Sequence, residues 1–135
     1  MEKLQFDSGV KSYKIGAGVL RFNPADPNVF ARFTQAAEKM QSGQDQLLEK
    51  ARDGKADTVQ LLWDADQQMK KMLSWVFGED NDFDRILGGI NLLAMASNGQ
   101  RVIGNLLDAL QPVLLDGARQ CAAEKKAERD GAQKK

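Results

Sequence analysis

Apolar and polar residues alternate up to Phe22, after which apolar residues recur every three or four positions. That change of period divides the chain. Tyr13 and Ile15 alternate, Gly16-Ala17-Gly18 is a tight connection, and Val19, Leu20 and Phe22 form a return strand. Leu4 and Phe6 alternate earlier, ahead of an Asp7-Ser8-Gly9 turn. Two or three short strands are therefore expected over residues 1–22. An isolated hairpin is marginal in water, so this one must pack on whatever follows.

The switch reads Phe22-Asn-Pro-Ala-Asp-Pro-Asn28. Asp26 suits a helix N-cap, and Pro27 suits the first turn, where its missing N–H costs nothing. A first helix is predicted from about 27 to 52, with a stripe of Phe30, Phe33, Ala37, Met40, Gln44, Leu47 and Ala51. Ser42-Gly43-Gln44 is its weak point, where the helix bends or breaks. Asp53-Gly54-Lys55 reads as a stop and restart, with Gly54 suited to a left-handed cap. A second helix is predicted from about Ala56 to Phe77, with a seam of Val59, Leu62, Asp66, Met69, Leu73 and Val76. Two such helices joined by a short loop form an antiparallel helical hairpin. Asp66 in the seam has two readings: a buried polar residue that fixes register, or a residue rotated into water.

Gly78 ends the second helix, and Glu79-Asp80-Asn81-Asp82 is an acidic turn. Asp82 or Asp84 caps a short helix through Ile86 and Leu87, stopped by Gly88-Gly89. Leu92, Leu93 and Met95 form a short apolar segment, and Asn98-Gly99 is a turn. The last helix carries Val102, Ile103, Leu106, Leu107, Leu110, Val113, Leu114 and Ala118, with Pro112 expected to kink or split it. Residues 119–135 carry six positive and three negative charges and are expected to form a flexible tail. The fold class is thus α+β and predominantly helical. A single domain over 1–118 comprises a β-hairpin (1–24), a helical hairpin (27–77) and a C-terminal helical segment (82–118).

Composition narrows the function. The 135 residues have formal net charge zero, a poor match to phosphate neutralisation on nucleic acid. There is no histidine, so the commonest general base and metal ligand is missing. Cys121 is the only cysteine, which removes an intrachain disulfide and a thiolate metal site. No signal-peptide stretch or membrane-length apolar run is present, so a soluble cytoplasmic protein is expected.

Candidate chemistry is thin. Asp80, Asp82 and Asp84 alternate as in a calcium loop, but Arg85 occupies the glycine position and Asn91 the bidentate glutamate position, so they read as helix caps. Gly16-Ala17-Gly18 lacks the lysine and helix of a phosphate loop. Asp64 and Asp66 are two apart on a helix and do not face each other. Cys121 has no histidine to activate it. No catalytic residue, cofactor or metal is expected. The residues proposed for partner binding are Trp63, Trp75, Phe77 and Leu87. Trp75 and Phe77 are either an exposed aromatic anchor or packing beneath segment 83–95.

The order of parts carries a resemblance: Leu20-Arg21-Phe22-Asn23-Pro24-x-Asp26-Pro27, then Phe30-x-Arg32-Phe33, Phe77-Gly78 with an acidic turn, Phe83-Asp84-x-x-Leu87-Gly88-Gly89, and Leu110-x-Pro112. Over Tyr13 to Leu115 the chain resembles small proteins of long-tailed phage and prophage tail-gene clusters, and is most similar to the tail assembly chaperones. The resemblance implies a non-enzymatic helper that coats the helical tape measure protein, in the host cytoplasm, until tube subunits polymerise around it. Such chaperones are often made in two lengths by ribosomal frameshifting, for which the codons of Lys125-Lys126 and Lys134-Lys135 are possible slippage sites. It carries over no functional residue. Self-association is also expected, because the two seams exceed what one hairpin buries. The rival reading is a minor tail or connector subunit that stays in the virion. A secreted protein of the tryptophan-x-glycine class fits less well, because Trp75-Val76-Phe77-Gly78 has one residue too many and ends a helix.

Overall fold

The computed structural model describes residues 1–54 and 57–133. It is α+β, as the periodicity predicts. Its elements are β1 (Lys11–Ile15), β2 (Gly18–Phe22), α1 (Pro27–Arg52), α2 (Thr58–Phe77), α3 (Phe83–Ile86) and α4 (Val102–Gln133). Lys55 and Ala56 of the expected stop and restart, and the Lys134-Lys135 pair, lie outside the described residues. Among the described residues no helix is long and apolar enough to cross a membrane.

β1 and β2 are antiparallel, with Tyr13 opposite Leu20 and Ile15 opposite Gly18. The two-residue turn needs Gly16, whose φ of +58° favours glycine. Residues 1–10 form no third strand, contrary to the alternation of Leu4 and Phe6, which are both exposed. A local turn takes over instead. The Gly9 N–H donates to Asp7 Oδ1 at 2.8 Å, and Asn23 Nδ2 donates to the Ser8 carbonyl at 3.0 Å. The outer edge of β2 is closed by a side chain. Asn81 Oδ1 accepts from the Arg21 N–H (3.0 Å), and its Nδ2 donates to the carbonyls of Arg21 (2.8 Å) and Phe77 (3.0 Å). One buried amide thus stands in for a neighbouring strand.

α1 starts as its sequence dictates: Asp26 accepts from the Asn28 N–H, and Pro27 opens the first turn. It runs unbroken through Gly43. Its core-facing residues are Val29, Phe33, Ala36 and Met40: Phe33 and Met40 as predicted, Val29 and Ala36 in place of the half-buried Phe30 and Ala37. Gly54 takes the left-handed conformation at φ +63°. α2 is capped by Asp57 and ends at Gly78. Asp82 caps α3. Phe77 is the aromatic hub, with ring centroids 4.7 Å from Phe22, 5.8 Å from Phe83 and 6.4 Å from Phe33. It joins the β-hairpin to both long helices.

α4 differs from expectation in two ways. Pro112 does not split it: the helix runs on through this exposed position. The helix also continues to Gln133, so 119–133 is helical where a flexible tail is expected. That stretch is rich in alanine, glutamate, lysine and arginine, which propagate a helix already nucleated upstream. α4 also meets the β2–α1 connection backbone to backbone. A Cβ on Gly117 would overlap the Pro24 carbonyl. Gly117→Ala should therefore destabilise the fold by about 1–3 kcal/mol, read as a lower urea midpoint. A Gly104→Ala control, where a Cβ meets nothing, should be neutral or stabilising.

Candidate protein-binding groove

The two long helices pack closely only along part of their length. Beyond Met40, α1 offers Gly43 without a side chain and Gln44 at the seam. No described residue of α1 after Met40 is fully buried. Facing it, α2 offers Leu61 and the small Ala65. The result is an open cavity of about 310 Å³, with Met40, Leu47, Leu61, Met69, Met72 and Leu93 among its lining residues. An adjoining lobe of about 170 Å³ shares Leu47, Leu61 and Leu93. Lys39 and Lys50 of α1 and Asp64 of α2 also line the cavity. The lining is therefore mixed: Leu47, Leu61, Ala65 and Met72 are half-buried over a buried floor of Met40, Met69 and Leu93, and Gln44, Gln46, Gln68 and the three charged residues form the rim.

Leu93 reaches the groove because segment 91–101 is tied to α2. Asp66, 2% exposed, accepts the Leu92 N–H on Oδ1 at 2.8 Å. Asn91 Nδ2 donates to the Leu62 carbonyl (3.2 Å), and Arg101 donates to the Leu93 carbonyl (2.6 Å). The second Asp66 oxygen pairs with Lys70 Nζ at 2.8 Å. Lys70, only 4% exposed, also reaches Asp84 of α3 at 2.6 Å. The reading of Asp66 as a buried polar seam residue holds, and the reason lies in the segment it anchors. Lys70 escaped sequence reasoning because a lysine on a helix is normally solvated. Its only signal was its position four residues after a seam aspartate.

Burial alone would lower the Lys70 pKa. The hydrogen bonds and charges of Asp66 and Asp84 outweigh it and hold the ammonium above its usual 10.5.

The four residues proposed from sequence do not come together. Phe77 is 5% exposed and belongs to the core, so it is withdrawn as a partner contact. Leu87 is half-buried against that core, just after α3. Trp75, 44% exposed, shares a face of α2 with Asp64, Gln68 and Met72 of the groove but does not itself line the cavity. Trp63, 59% exposed, lies about a third of a turn away from Trp75 around α2, off the groove. Met40, Met69 and Leu93, apolar positions in the sequence pattern, are buried core residues that form the floor of the groove. Val59 is the reverse case: a predicted seam residue that is 76% exposed, because Thr58 and Leu61, not Val59, are turned toward Leu48 and Ala51 of α1.

Compared with known proteins, the chain matches no family model, no curated protein and no solved structure. Its own geometry defines an α+β protein built round a helical hairpin with an open apolar seam.

Lys70→Met should leave Asp66 buried and unpaired, at a cost of about 3–5 kcal/mol, measured by urea unfolding at neutral pH. The raised pKa fixes the sign of the pH dependence. The ion-pair contribution is fully present below pH 10.5 and is lost as pH rises through the higher folded value. Wild-type stability should fall more steeply above that pH than the Lys70→Met stability does.

Proposed function

We propose that this chain binds the apolar face of a helical protein partner in the α1–α2 groove, without catalysis. The observation that carries this reading is the partly open α1–α2 seam, where Leu47, Leu61, Ala65 and Met72 stay half-buried over a floor of buried Met40 and Met69. Helix-in-groove recognition needs an apolar channel that accepts residues spaced three and four apart. Met72, the half-buried methionine of the lining, suits a partner of variable sequence, because its unbranched side chain repacks cheaply. Lys39, Lys50 and Asp64 would steer the charged flanks of an amphipathic helix.

The biological role we propose is that of a phage or prophage tail assembly chaperone. The partner is the tape measure protein, bound in the bacterial cytoplasm during tail morphogenesis. The resemblance between Tyr13 and Leu115 supports this assignment. A long helix-rich chain awaiting its tube exposes repeated apolar faces, which an open seam of this kind would cover.

Co-expression with the largest helix-rich protein encoded nearby tests the proposal. That protein should be soluble and co-purify only when this chain is present. Leu61→Glu, at a half-buried groove position, should cut the recovered complex by about tenfold or more while leaving the circular dichroism unchanged. Insoluble partner with and without this chain would refute the proposal. Stoichiometric recovery of the chain in purified particles would instead identify a minor tail or connector subunit.

A further inference from the structure

The two edges of the β-hairpin are finished differently. On β2 the core-facing Leu20 and Phe22 are buried, and Asn81 satisfies the outward N–H and carbonyl of Arg21. On β1 the core-facing Tyr13 and Ile15 are only half-buried. Ser12 and Lys14 stand opposite Arg21 and Val19, so their N–H and carbonyl groups point away from β2, off the free edge. The sheet ends there, with two strands. Core and ladder are incomplete on the same side, by the width of one strand.

The chain itself carries a segment with the features of that strand. Leu4 and Phe6 alternate with Lys3, Gln5 and Asp7, and both are almost wholly exposed, 87% and 83%. Set antiparallel on β1 with Phe6 opposite Tyr13, the segment places Leu4 opposite Ile15 on the core face. An aromatic pair and an aliphatic pair then cover what β1 leaves half-open. On the outer face Gln5 lies opposite Lys14 and Asp7 opposite Ser12, with Lys14 the diagonal neighbour of the Asp7 carboxylate. Lys3 falls opposite Gly16 in the turn, so no like charges meet. A register one residue away would turn Leu4 and Phe6 into water.

The segment does not lie along the edge of its own β1. Ser8 and Gly9 are held against Asn23, which follows β2. Asn23 Nδ2 donates to the Ser8 carbonyl, and a Cβ on Gly9 would meet that nitrogen at 2.7 Å. The Gly9 N–H closes a turn on Asp7. Residues 1–7 thus leave the hairpin beside Asn23, and the side chains of Leu4 and Phe6 stay in water.

We propose that residues 2–7 of a second copy of this chain add as a third strand to the free edge of β1. Two chains exchange one such strand each way. Strand addition draws affinity from main-chain hydrogen bonds and specificity from alternate side chains. The pairing is separate from the α1–α2 groove and does not rest on it.

Sedimentation equilibrium on the full chain tests it, with circular dichroism as the folding control. Wild type should associate at micromolar concentration. Leu4→Asp combined with Phe6→Asp should weaken that association by about tenfold or more, and Ser12→Pro should do so from the accepting side. Ser12→Pro removes an N–H directed off the sheet, so the hairpin keeps its own ladder. In a Cys121→Ser background, a Gln5→Cys chain mixed with a Lys14→Cys chain should oxidise to a mixed disulfide. A wild type that sediments as a monomer throughout would overturn the proposal. So would an association that survives either edge variant. A chain carrying both Gln5→Cys and Lys14→Cys that closes its disulfide within a monomer would overturn it too, since the strand would then belong to its own hairpin.

Discussion

The groove depends on one buried ammonium. Lys70 sits between Asp66 on its own helix and Asp84 on α3, and Asp66 spends its other oxygen on the Leu92 N–H. The chain from 79 to 101 contains one short helix and little other regular structure, so it cannot hold its course by its own ladder. Two carboxylates and one lysine set that course against α2. The charges are costly to bury, and their value lies in specificity more than in net stability. An apolar trio of the same volume would fill the space but would leave the Leu92 N–H without a partner and the segment without a register.

The same economy of polar groups recurs at the β-hairpin. Asn81 closes the outer edge of β2 by mimicking a strand, and Ser74 of α2 donates to the Asn81 carbonyl at 2.7 Å. Among the described residues, every buried side-chain nitrogen or oxygen has a partner. A polar network thus fixes one half of α2 firmly, while the half facing the distal part of α1 is left loosely covered. Rigidity at one end and a partly open seam at the other let a small domain keep its fold while leaving apolar side chains half-covered.

How much of this was legible depends on what each residue signals by itself. The hairpin turn, the Asp26-Pro27 helix start, Gly54 and Gly78 were all readable, because cap and turn chemistry is local. In the α1 stripe Phe33 and Met40 are buried as predicted, while Val29 and Ala36 are buried in place of their neighbours Phe30 and Ala37, a choice between adjacent residues that only packing makes. Leu4 and Phe6 alternate like a strand, but pairing is a tertiary event and the Asp7–Gly9 turn forecloses it. The length of α4 was misread because a charged, alanine-rich segment looks alike as a solvated tail or as the continuation of an anchored helix. The groove was the hardest part. Met40 and Met69 have the spacing of core residues and are buried, and nothing local shows that α1 beyond Met40 leaves Leu47, Leu61 and Met72 only half-buried above them. Trp63 and Trp75 were recognisable as aromatics off the seam, but which face each occupies follows only from the helix phase.

Helical-partner binding in the groove is tested most directly by methyl NMR. The chain has five methionines: Met40, Met69 and Met72 line the groove, while Met1 and Met95 lie exposed elsewhere. With methionine methyl groups labelled, a tape measure segment with an amphipathic helical pattern is titrated in. Shifts confined to Met40, Met69 and Met72, with Met1 and Met95 unmoved, are the expected result. Binding that moves Met95 or Met1 and leaves the three groove methyls in place would show that the partner docks elsewhere and would contradict the groove's assigned role.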